Sequence, residues 1–404
     1  MVEQVTLIGV GGGTDATLTR EARDTLAEAD IVIGAARVLE RLPKSEKQKL
    51  YTEYRTDAIL ALLEREDAQT ACVAFSGDTG FWSGARALTE RLQARGIACR
   101  VLPGLSSAQL LAARLGRAWQ DWTLVSAHGT DCDPVAAIMT GRPAFFLTGG
   151  TNTPASLCAA LTDAGLGALR VSVGENLTYE SERLTGTTAA EAAERTFAPL
   201  SVLLVEAAER RDVPRGGLPD DAFVRGNVPM TKQEVRAAVV SKLCVRRGDT
   251  VWDVGAGTGS VSVELALAAD AGRVYAVERD AEACELIETN RRRFGAWNLR
   301  VVRGTAPEAL SGLPKPDAVF IGGSGGKLRA IVAAAMAANP DARLCLTAIA
   351  LETLASALDV CKEFDLDAEI AQIAVSRTRA AGTLHLLTAN NPIFVLTARR
   401  RERV

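Results

Sequence analysis

An acidic residue and three glycines in the second half of the chain have the spacing of a cofactor-binding turn. Asp253 is followed by Gly255, Gly257 and Gly259 within VWDVGAGTGS, a segment typical of a strand that runs into a turn. Dinucleotide sites usually have the spacing G-x-G-x-x-G, and a P-loop requires a lysine after its last glycine. The tighter spacing favours S-adenosylmethionine (SAM), which has no pyrophosphate. Asp253 could attract the ammonium group of SAM directly or through water.

Two later segments supply the remaining contacts that an adenosine-containing cofactor requires. The strand RVYAVERD ends at Glu278, where a carboxylate can accept hydrogen bonds from both ribose hydroxyls. The next strand leads to Thr305 and Ala306 at the position expected for adenine, although many such enzymes have an acid in place of Thr305. An NAD site and a purely structural turn stay open as alternatives. We predict SAM because several independent features agree.

A glycine-rich loop follows the fourth strand of this half. The segment DAVFIGGSGGKL has no Asn-Pro-Pro-aromatic motif for methylation of an amino group and no acidic cluster for metal-assisted methylation of oxygen. Small residues leave room for a large flat substrate, although a flexible loop is an equal alternative. Methyl transfer to carbon needs mainly alignment, and positioning can contribute roughly 7–11 kcal/mol. The absence of an obvious nucleophile is therefore no objection to this chemistry.

The first half contains its own turns of small residues directly after apolar strands. They lie in VTLIGVGGGT near the start, FSGDTGFWSG from Phe75 and VLPGLSSAQLLAARLG from Val101. No acid stands where a dinucleotide site would place one for the ribose. Such loops suit a cleft in which backbone groups, rather than charged side chains, hold a cofactor.

Composition excludes several classes of function. The net charge of −3 does not favour a nucleic-acid-binding surface, and the basic terminal segment ARRRERV is short. Eight scattered cysteines without a CxxC pair indicate reduced thiols, and two histidines make a zinc site unfavourable, so we predict no metal. No apolar run approaches the roughly 20 residues that span a bilayer. We expect a cytoplasmic protein that binds neither membrane nor nucleic acid.

The pattern of strands and helices predicts an α/β protein of two domains. Short β-branched runs alternate with Ala/Leu/Glu/Arg helical patterns along all 404 residues. The alternation lapses over a segment rich in proline, glycine and charge, so we predict domains over 1–207 and 227–404 with a linker over 208–226. The second domain has seven predicted strands in a doubly wound sheet. Its last two strands, near 369–376 and 393–397, predict an edge hairpin.

The second half resembles the precorrin methyltransferases of cobalamin biosynthesis, specifically those that methylate carbon 15 and decarboxylate. The resemblance rests on GNVPMTKQEVRA, VWDVGAGTGSVSVE, VFIGGSGGKL and SRTRAAGTLHL and covers nearly all of 227–404. It implies a Rossmann-like class I methyltransferase fold. The SAM contacts that it implies are Thr231, Gly255, Ala256, Gly257, Thr258, Gly259, Glu278 and Ala306. It also implies a tetrapyrrole substrate with many carboxylates, for which Lys232, Arg377 and Arg379 are candidate partners unless they are ordinary surface charges.

The first half resembles the tetrapyrrole methyltransferase family, in which two α/β lobes hold SAM between them. The segments VSAHGT, FFLTGGTNTPASL and VSVGENLTYESERLTGTT extend the match over most of residues 3–206 and are similar to the carbon-5 methylating precorrin enzymes. The implied cofactor neighbours are Gly77, Asp78, Ser106, Ser107 and Thr148. The family usually has proline in place of Thr79. Asp78 could instead bond its own turn, and His128 could meet substrate or be purely structural.

Together the two resemblances imply two unrelated SAM folds in one chain, with one SAM site in each. The first half is expected to methylate carbon 5, and the second to methylate carbon 15 and remove carbon dioxide from the ring C acetate, giving precorrin-8. Self-association is also expected. An RNA methyltransferase and a SAM-binding regulator without catalytic activity are the alternatives; the first predicts basic surfaces interleaved with aromatic residues, and the second predicts tight SAM binding without turnover.

Overall fold

The computed structural model describes residues 2–43, 45–129, 132–208, 214 and 216–401 and divides into two compact units. The first unit comprises Met1–Cys132, Arg142–Ala159 and Ala168–Glu206, and the second comprises Asp133–Gly141, Ala160–Gly167 and Ala207–Val404. The domain boundaries inferred from sequence stay a prediction. Within the predicted linker, Leu218 and Phe223 are buried in the core of the second unit, whereas 209–213 and 215 lie outside the described residues.

The first unit contains two five-stranded sheets. One is parallel with the order β3-β2-β4-β1-β5, and the other has the mixed order β6-β7-β10-β8-β9, in which only β6 and β7 are parallel. The strands are β1 (Gln4–Gly9), β2 (Ile31–Gly34), β3 (Lys49–Thr52), β4 (Thr70–Phe75), β5 (Cys99–Leu102), β6 (Thr123–Ser126), β7 (Ala144–Leu147), β8 (Arg170–Glu175), β9 (Arg183–Thr188) and β10 (Ser201–Val205).

Helices connect these strands. Thr19 caps the first of them, since its side chain accepts a hydrogen bond from the Ala22 amide at 3.1 Å. The helices of residues 2–208 are α1 (Arg20–Glu28), α2 (Ala36–Leu39), α3 (Thr56–Arg65), α4 (Ala85–Ala94), α5 (Ser107–Leu115), α6 (Pro134–Ile138), α7 (Pro154–Leu161) and α8 (Ala189–Ala193). Both faces of the parallel sheet are covered, because Val5 and Leu7 of β1 lie in one apolar cluster and Ile8 in another.

The second unit is built on a seven-stranded sheet with the order β13-β12-β11-β14-β15-β19-β16. The strands of residues 216–401 are β11 (Thr250–Val254), β12 (Arg273–Glu278), β13 (Leu299–Arg303), β14 (Ala318–Ile321), β15 (Arg343–Ala348), β16 (Leu366–Ile373), β17 (Ser376–Ala381), β18 (Leu384–Ala389) and β19 (Ile393–Arg400). The helices are α9 (Gln233–Leu243), α10 (Ser260–Ala268), α11 (Ala281–Phe294), α12 (Leu328–Ala338) and α13 (Leu351–Glu363). Val251 packs on one face of this sheet, and Trp252 and Val254 pack on the other.

The predicted α/β class and doubly wound sheet are confirmed, and β16 and β19 pair antiparallel at one edge as expected. The strands β3, β5, β9 and the separate hairpin β17–β18 were not predicted. The strand predicted near 369–376 is present with different bounds, because β16 begins at Leu366 and ends at Ile373, and a second strand, β17, begins at Ser376. These strands are polar or mostly exposed, so they lack the apolar runs by which buried strands are recognised.

Two further observations concern the described part of the chain. None of its helices is long and apolar enough to cross a bilayer. Within the same residues, histidine, cysteine, aspartate and glutamate side chains form no group of three or more that could hold a metal ion.

Candidate active sites

A cavity of about 670 Å³ opens at the carboxyl ends of the central strands of the second unit. Its wall includes the residues that directly follow or end β11, β12, β13 and β14, namely Gly255, Glu278, Gly304 and Gly322. The strand order reverses at β11, which lies between β12 and β14. Ligands of open parallel sheets bind at such a switch point. The topology therefore collects the segments singled out in the sequence around one cavity.

Three positions of the turn after β11 require glycine. Gly255, Gly257 and Gly259 have φ angles of +72°, +57° and +74°, which side chains rarely adopt. A Cβ atom on Gly255 would lie 2.5 Å from the carbonyl oxygen of Gly323, and one on Gly259 would lie 2.9 Å from Cγ1 of Ile287. The bare backbone is thus exposed to the cavity, and the loops after β11 and β14 touch. Side chains at Gly255 and Gly259 would push the turn away from its neighbours, so glycine keeps a close-packed wall that suits a group such as SAM.

Glu278 is held rigidly at the end of β12. Its Oε2 accepts a hydrogen bond from the Gly257 amide at 2.9 Å, and its Oε1 accepts from the amides of Arg279 at 2.8 Å and Asp280 at 3.1 Å. A carboxylate offers about four lone-pair directions. The remaining acceptor capacity faces the cavity, which Glu278 lines. The three amides leave about one of these directions for a ribose hydroxyl.

The first unit has a separate cavity of about 300 Å³. It is lined by the turns after β1 and β4, the start of α5, the ends of β6 and β7, and the loop after β8. Two aromatic side chains, Phe81 and Trp82, form part of its wall with their ring centroids 4.5 Å apart. The cavity therefore lies between the two sheets of this unit.

Three turns that contain glycine follow β1, β4 and β5 of the first unit and pack backbone against backbone at the carboxyl ends of these strands. Gly11 and Gly77 exchange two amide-to-carbonyl hydrogen bonds of 2.9 Å. A Cβ atom on Gly104 would lie 2.3 Å from the Gly77 carbonyl oxygen and 2.5 Å from the Gly9 carbonyl carbon. Because β1 lies between β4 and β5, these turns are adjacent. Only glycine allows them to close together beside the cavity.

Comparisons with known proteins account for both units. Residues 4–193 match the family described as Tetrapyrrole (Corrin/Porphyrin) Methylases, and residues 221–400 match the Precorrin methyltransferase domain. A precorrin-6Y C(5,15)-methyltransferase [decarboxylating] from Sinorhizobium sp is 34% identical over 400 residues, which cover 97% of this chain and 95% of that protein. The chain belongs to the precorrin-6Y C(5,15)-methyltransferase family. Membership in methyltransferase families implies SAM as the methyl donor.

Other relatives of this family match one half of the chain. A probable cobalt-precorrin-6B C(15)-methyltransferase (decarboxylating) from Pyrobaculum calidifontis is 46% identical over 185 residues, which cover 45% of this chain and 95% of that protein. The crystal structure of a precorrin-6Y C5,15-methyltransferase from Geobacter metallireducens is 36% identical and covers 47% of this chain and 100% of its own, with a TM-score of 0.45.

The structure places most of the predicted SAM contacts of the second unit on the wall of its cavity. Those that line it are Thr231, Gly255, Ala256, Gly257, Thr258, Glu278, Thr305 and Ala306. Gly259 does not line it and instead begins α10 against Ile287. Lys232 also lines the cavity. The contacts of these residues with SAM stay a prediction.

Asp253 lies outside the cavity wall. Its side chain is completely buried, its Oδ2 accepts a hydrogen bond from the Ser262 hydroxyl of α10, and its Oδ1 has no partner among the described residues. Burial raises the pKa of Asp253 from 3.8 to about 7, and the charge of Glu278 adds to this rise. A direct contact with the ammonium group of SAM is therefore not favoured by this geometry. The geometry instead favours support of the glycine turn through Ser262.

The raised pKa of Asp253 has a consequence for stability. Between about pH 4 and pH 7 the unfolded chain releases this proton while the folded chain keeps it, so this contribution to the free energy of unfolding falls as the pH rises. The free energy of unfolding is measured with urea for wild type and for Asp253→Asn, at about pH 5 and at about pH 8. We expect that of wild type, relative to that of Asp253→Asn, to be lower at about pH 8 than at about pH 5. A difference between the two proteins that is the same at both pH values would contradict this expectation.

The three residues predicted to bind carboxylates of the substrate differ in their position relative to the cavity. Arg377 of β17 forms ion pairs with Asp220 at 2.8 Å and Glu234 at 2.5 Å, and its guanidinium lowers the pKa of Glu234 below the ordinary value. Arg379 is exposed on the same strand, and neither arginine lines the cavity. Lys232 lines the cavity and has no carboxylate within ion-pair distance among the described residues. Lys232 is thus the strongest of the three, and all three roles stay predictions.

Sequence reasoning missed a second cation and the internal support of the cavity wall. Arg279 lines the cavity beside Glu278 and could have been noticed from its place directly after that residue. Arg236 and Glu264 are completely buried and joined by an ion pair of 2.6 Å. Arg236 also donates to the Thr231 carbonyl at 2.7 Å, which holds the segment before α9 against the cavity. A charged residue inside an otherwise ordinary helix gave no signal of this role.

In the first unit, most of the predicted cofactor neighbours line the cavity, and one of them stabilises a helix beside it. Those that line the cavity are Gly77, Asp78, Ser107 and Thr148. Ser106 does not line it and caps α5, accepting from the Gln109 amide at 3.2 Å. Asp78 accepts from the Gly80 amide at 3.0 Å and the Gly104 amide at 3.0 Å. Asp78 thus bonds its own turn, the alternative considered for it, and also ties two loops together.

Two other residues of this wall have defined contacts. His128 lines the cavity with its Nδ1 3.4 Å from the Thr148 carbonyl oxygen. The Thr148 hydroxyl in turn donates to the Ser201 carbonyl at 2.6 Å. The hydroxyl of Thr79 donates to the Leu102 carbonyl at 3.2 Å. The turn is therefore fixed by a hydrogen bond from its threonine.

Gly104→Ala is expected to damage the first site selectively. The added methyl group would collide with the backbone of Gly77 and Gly9, so the turns must separate at a cost of about 1–3 kcal/mol. Calorimetric titration of the full chain with SAM should show weaker binding at the first unit and an unchanged second site. Gly186→Ala is the control, since its Cβ would meet no atom within 4 Å. Equal binding by both variants would contradict the assignment.

Proposed function

We propose that this chain methylates a precorrin at carbons 5 and 15 and removes carbon dioxide from the ring C acetate, yielding precorrin-8, with one SAM site in each unit. The observation that carries this proposal is the presence of two separate cavities, each at the carboxyl edge of a parallel sheet. Each lies in the half of the chain that matches a different methyltransferase family. The first unit serves carbon 5. The second serves carbon 15 and the decarboxylation.

The second cavity would hold SAM mainly through backbone groups and one carboxylate. The turn from Gly255 to Gly259 brings main-chain atoms to the cavity wall, and Glu278 would accept a hydrogen bond from a ribose hydroxyl. Thr305 and Ala306 line the part of the cavity where adenine is expected. Thr231 lines the cavity from the segment before α9. When bound, SAM supplies an electrophilic methyl group.

The remaining side chains of the second cavity orient the tetrapyrrole. An electron-rich carbon of the ring would take the methyl group while the bond from that methyl to sulfur breaks and a neutral thioether leaves, so no strong base is required and alignment is the main task of the protein. Lys232 and Arg279 line the cavity as cations without ion-pair partners among the described residues, and both can bind substrate carboxylates. The loop of Gly322, Gly323 and Ser324 leaves room for a wide ring.

Decarboxylation requires the same orientation of the substrate. The carbon–carbon bond to the acetate carboxylate breaks, and its electrons pass into the conjugated ring, which then takes up a proton. Lys232 and Arg279 would hold neighbouring carboxylates while the reacting one lies over the less polar glycine loop. A carboxylate that is not paired with a cation loses carbon dioxide more easily, because pairing stabilises the charged ground state.

In the first unit, the main chain at Gly77 would lie against SAM, and the hydroxyls of Ser107 and Thr148 would hold it. Asp78 and Ser106 keep their turns in place. Trp82, which is 48% exposed and lines the cavity, offers a flat apolar surface to a tetrapyrrole ring. Self-association of the chain stays a prediction.

The test of this function combines binding with product analysis. The full chain is titrated with SAM by calorimetry, and two sites are expected. It is then incubated with precorrin-6B and carbon-13-methyl-labelled SAM. Mass spectrometry and NMR should detect two labelled methyl carbons and the loss of one carbon dioxide. SAM binding without turnover would favour a regulator, and SAM binding in the second unit alone would remove the carbon-5 assignment.

A further inference from the structure

A tyrosine held between two arginines lies at the first unit's cavity. Tyr179 follows β8 in a loop where Asn176 and Thr178 have φ angles of +49° and +74°. Residues other than glycine are strained in this region unless their surroundings fix them. Here the Thr178 amide donates to Oε2 of Glu182 at 2.6 Å. This hydrogen bond therefore helps to hold the loop in a single conformation.

Arg41 fixes this loop to the turn after β1. Its guanidinium donates to the carbonyl of Gly12 at 2.6 Å and to the carbonyl of Thr178 at 2.8 Å. The same guanidinium lies 3.7 Å from the centroid of the Tyr179 ring, a distance at which cation and ring attract each other. The position of the Tyr179 ring is thus set by Arg41.

Arg37 holds the hydroxyl end of Tyr179, and unlike the nearby Arg114 it has no carboxylate partner among the described residues. Its Nη1 donates to the Tyr179 hydroxyl at 2.9 Å, and both residues line the cavity. The nearby Arg114 is paired with Glu182 at 2.5 Å. Among the described residues, by contrast, no carboxylate lies within ion-pair distance of either Arg37 or Arg41. Two cations without a counter-charge therefore flank Tyr179, and one of them, Arg37, lines the cavity.

We propose that Arg37 and Tyr179 bind a carboxylate group of a ligand in the first cavity, with Arg41 as a positioning residue. The Tyr179 oxygen accepts from Arg37, so its own proton is free to donate, and Arg37 keeps further N–H donors. Together they offer two neighbouring donors and a positive charge to one carboxylate. This inference rests on the proposed function. The carboxylate is either an acetate or propionate of the tetrapyrrole or the methionyl carboxylate of SAM.

The experiment separates these two sources on the full chain. One arm titrates uroporphyrin III, a tetrapyrrole with eight carboxylates, and its octamethyl ester by absorbance. The other arm titrates S-adenosylhomocysteine by calorimetry. The variants are Arg37→Gln, Arg37→Lys and Tyr179→Phe. Arg20→Gln is the control, because the Arg20 side chain is 95% exposed on α1 and does not line the cavity. The second unit is identical in all of them, so any difference reports on the first.

Arg37→Gln is expected to weaken one carboxylate ligand about 10-fold or more, Tyr179→Phe to weaken it less, and Arg37→Lys to restore part of the loss. Weakened uroporphyrin binding with unchanged ester binding identifies the tetrapyrrole as the source. Weakened S-adenosylhomocysteine binding identifies the methyl donor. If both ligands bind Arg37→Gln as they bind Arg20→Gln, the inference is overturned. If wild type does not prefer uroporphyrin to its ester, the proposed function fails, and the calorimetric arm still decides the inference.

Discussion

Glu278→Ala is expected to lower the affinity of the second unit for SAM about 100-fold, since a hydrogen bond from ribose to a charged acceptor is lost. The substitution also leaves the Gly257 amide without its 2.9 Å acceptor, which loosens the glycine turn. The first unit has its own cavity with no contribution from Glu278. Calorimetric titration of the full chain with SAM should therefore change from two binding events to one.

Two further variants make this result specific. Glu278→Gln keeps the shape and one acceptor oxygen, so an intermediate loss is expected. Glu285→Ala removes an exposed carboxylate from α11 that does not line the cavity, and it should bind SAM as wild type does. If Glu278→Ala weakens both sites equally, or neither, the assignment of Glu278 to the ribose is wrong.

Arg236→Met is expected to lower the free energy of unfolding of the second unit by roughly 3–5 kcal/mol, because it leaves Glu264 buried without its cation. Both side chains are completely buried, and Glu264 also accepts from the amides of Gly217 at 2.9 Å and Leu218 at 3.0 Å. The loss would release the segment that ends at Thr231 on the cavity wall. Weaker SAM binding in the second unit should accompany the loss of stability.

A double-mutant cycle tests this interpretation. Glu264→Gln alone should cost a similar amount, and Arg236→Met with Glu264→Gln should cost clearly less than the sum of the two. Arg247→Met is the control, since its ion pair with Asp270 is formed by a side chain 71% exposed and should contribute less than about 1 kcal/mol. Pulse proteolysis in urea with mass spectrometry follows each unit separately. A loss no larger than that of the control would contradict a stabilising role for the buried pair.

Much of the second site could be predicted from local sequence. The glycines at 255, 257 and 259 need a positive φ wherever they occur, and Glu278 ends a recognisable strand. In a parallel sheet, the carboxyl ends of neighbouring strands meet at one edge. The spacing of these residues was therefore enough to place them around a common cavity. Short motifs in the first half similarly located the turns that hold Gly77 and Gly104.

The contacts of individual charged side chains were not predictable in this way. Arg377 follows a family motif, but the fold brings it to Asp220 and Glu234, far away in sequence. Arg37 and Tyr179 are 142 positions apart and carry no motif that connects them. Their relation exists only because two sheets of the first unit share one cavity.

The sequence by itself determined the family, the α/β class and the glycine turns, because each depends on residues close together in the chain. Only the tertiary structure decided that Asp253 is buried beneath its turn while Glu278 reaches the cavity. Both acids lie at or near strand ends and on the same face of the sheet, since Asp253 is in register with Ala276, two residues before Glu278. Asp253 lies beneath α10, whereas Glu278 ends its strand at the cavity. Burial and pairing of charge therefore follow from packing between segments, which no local pattern records.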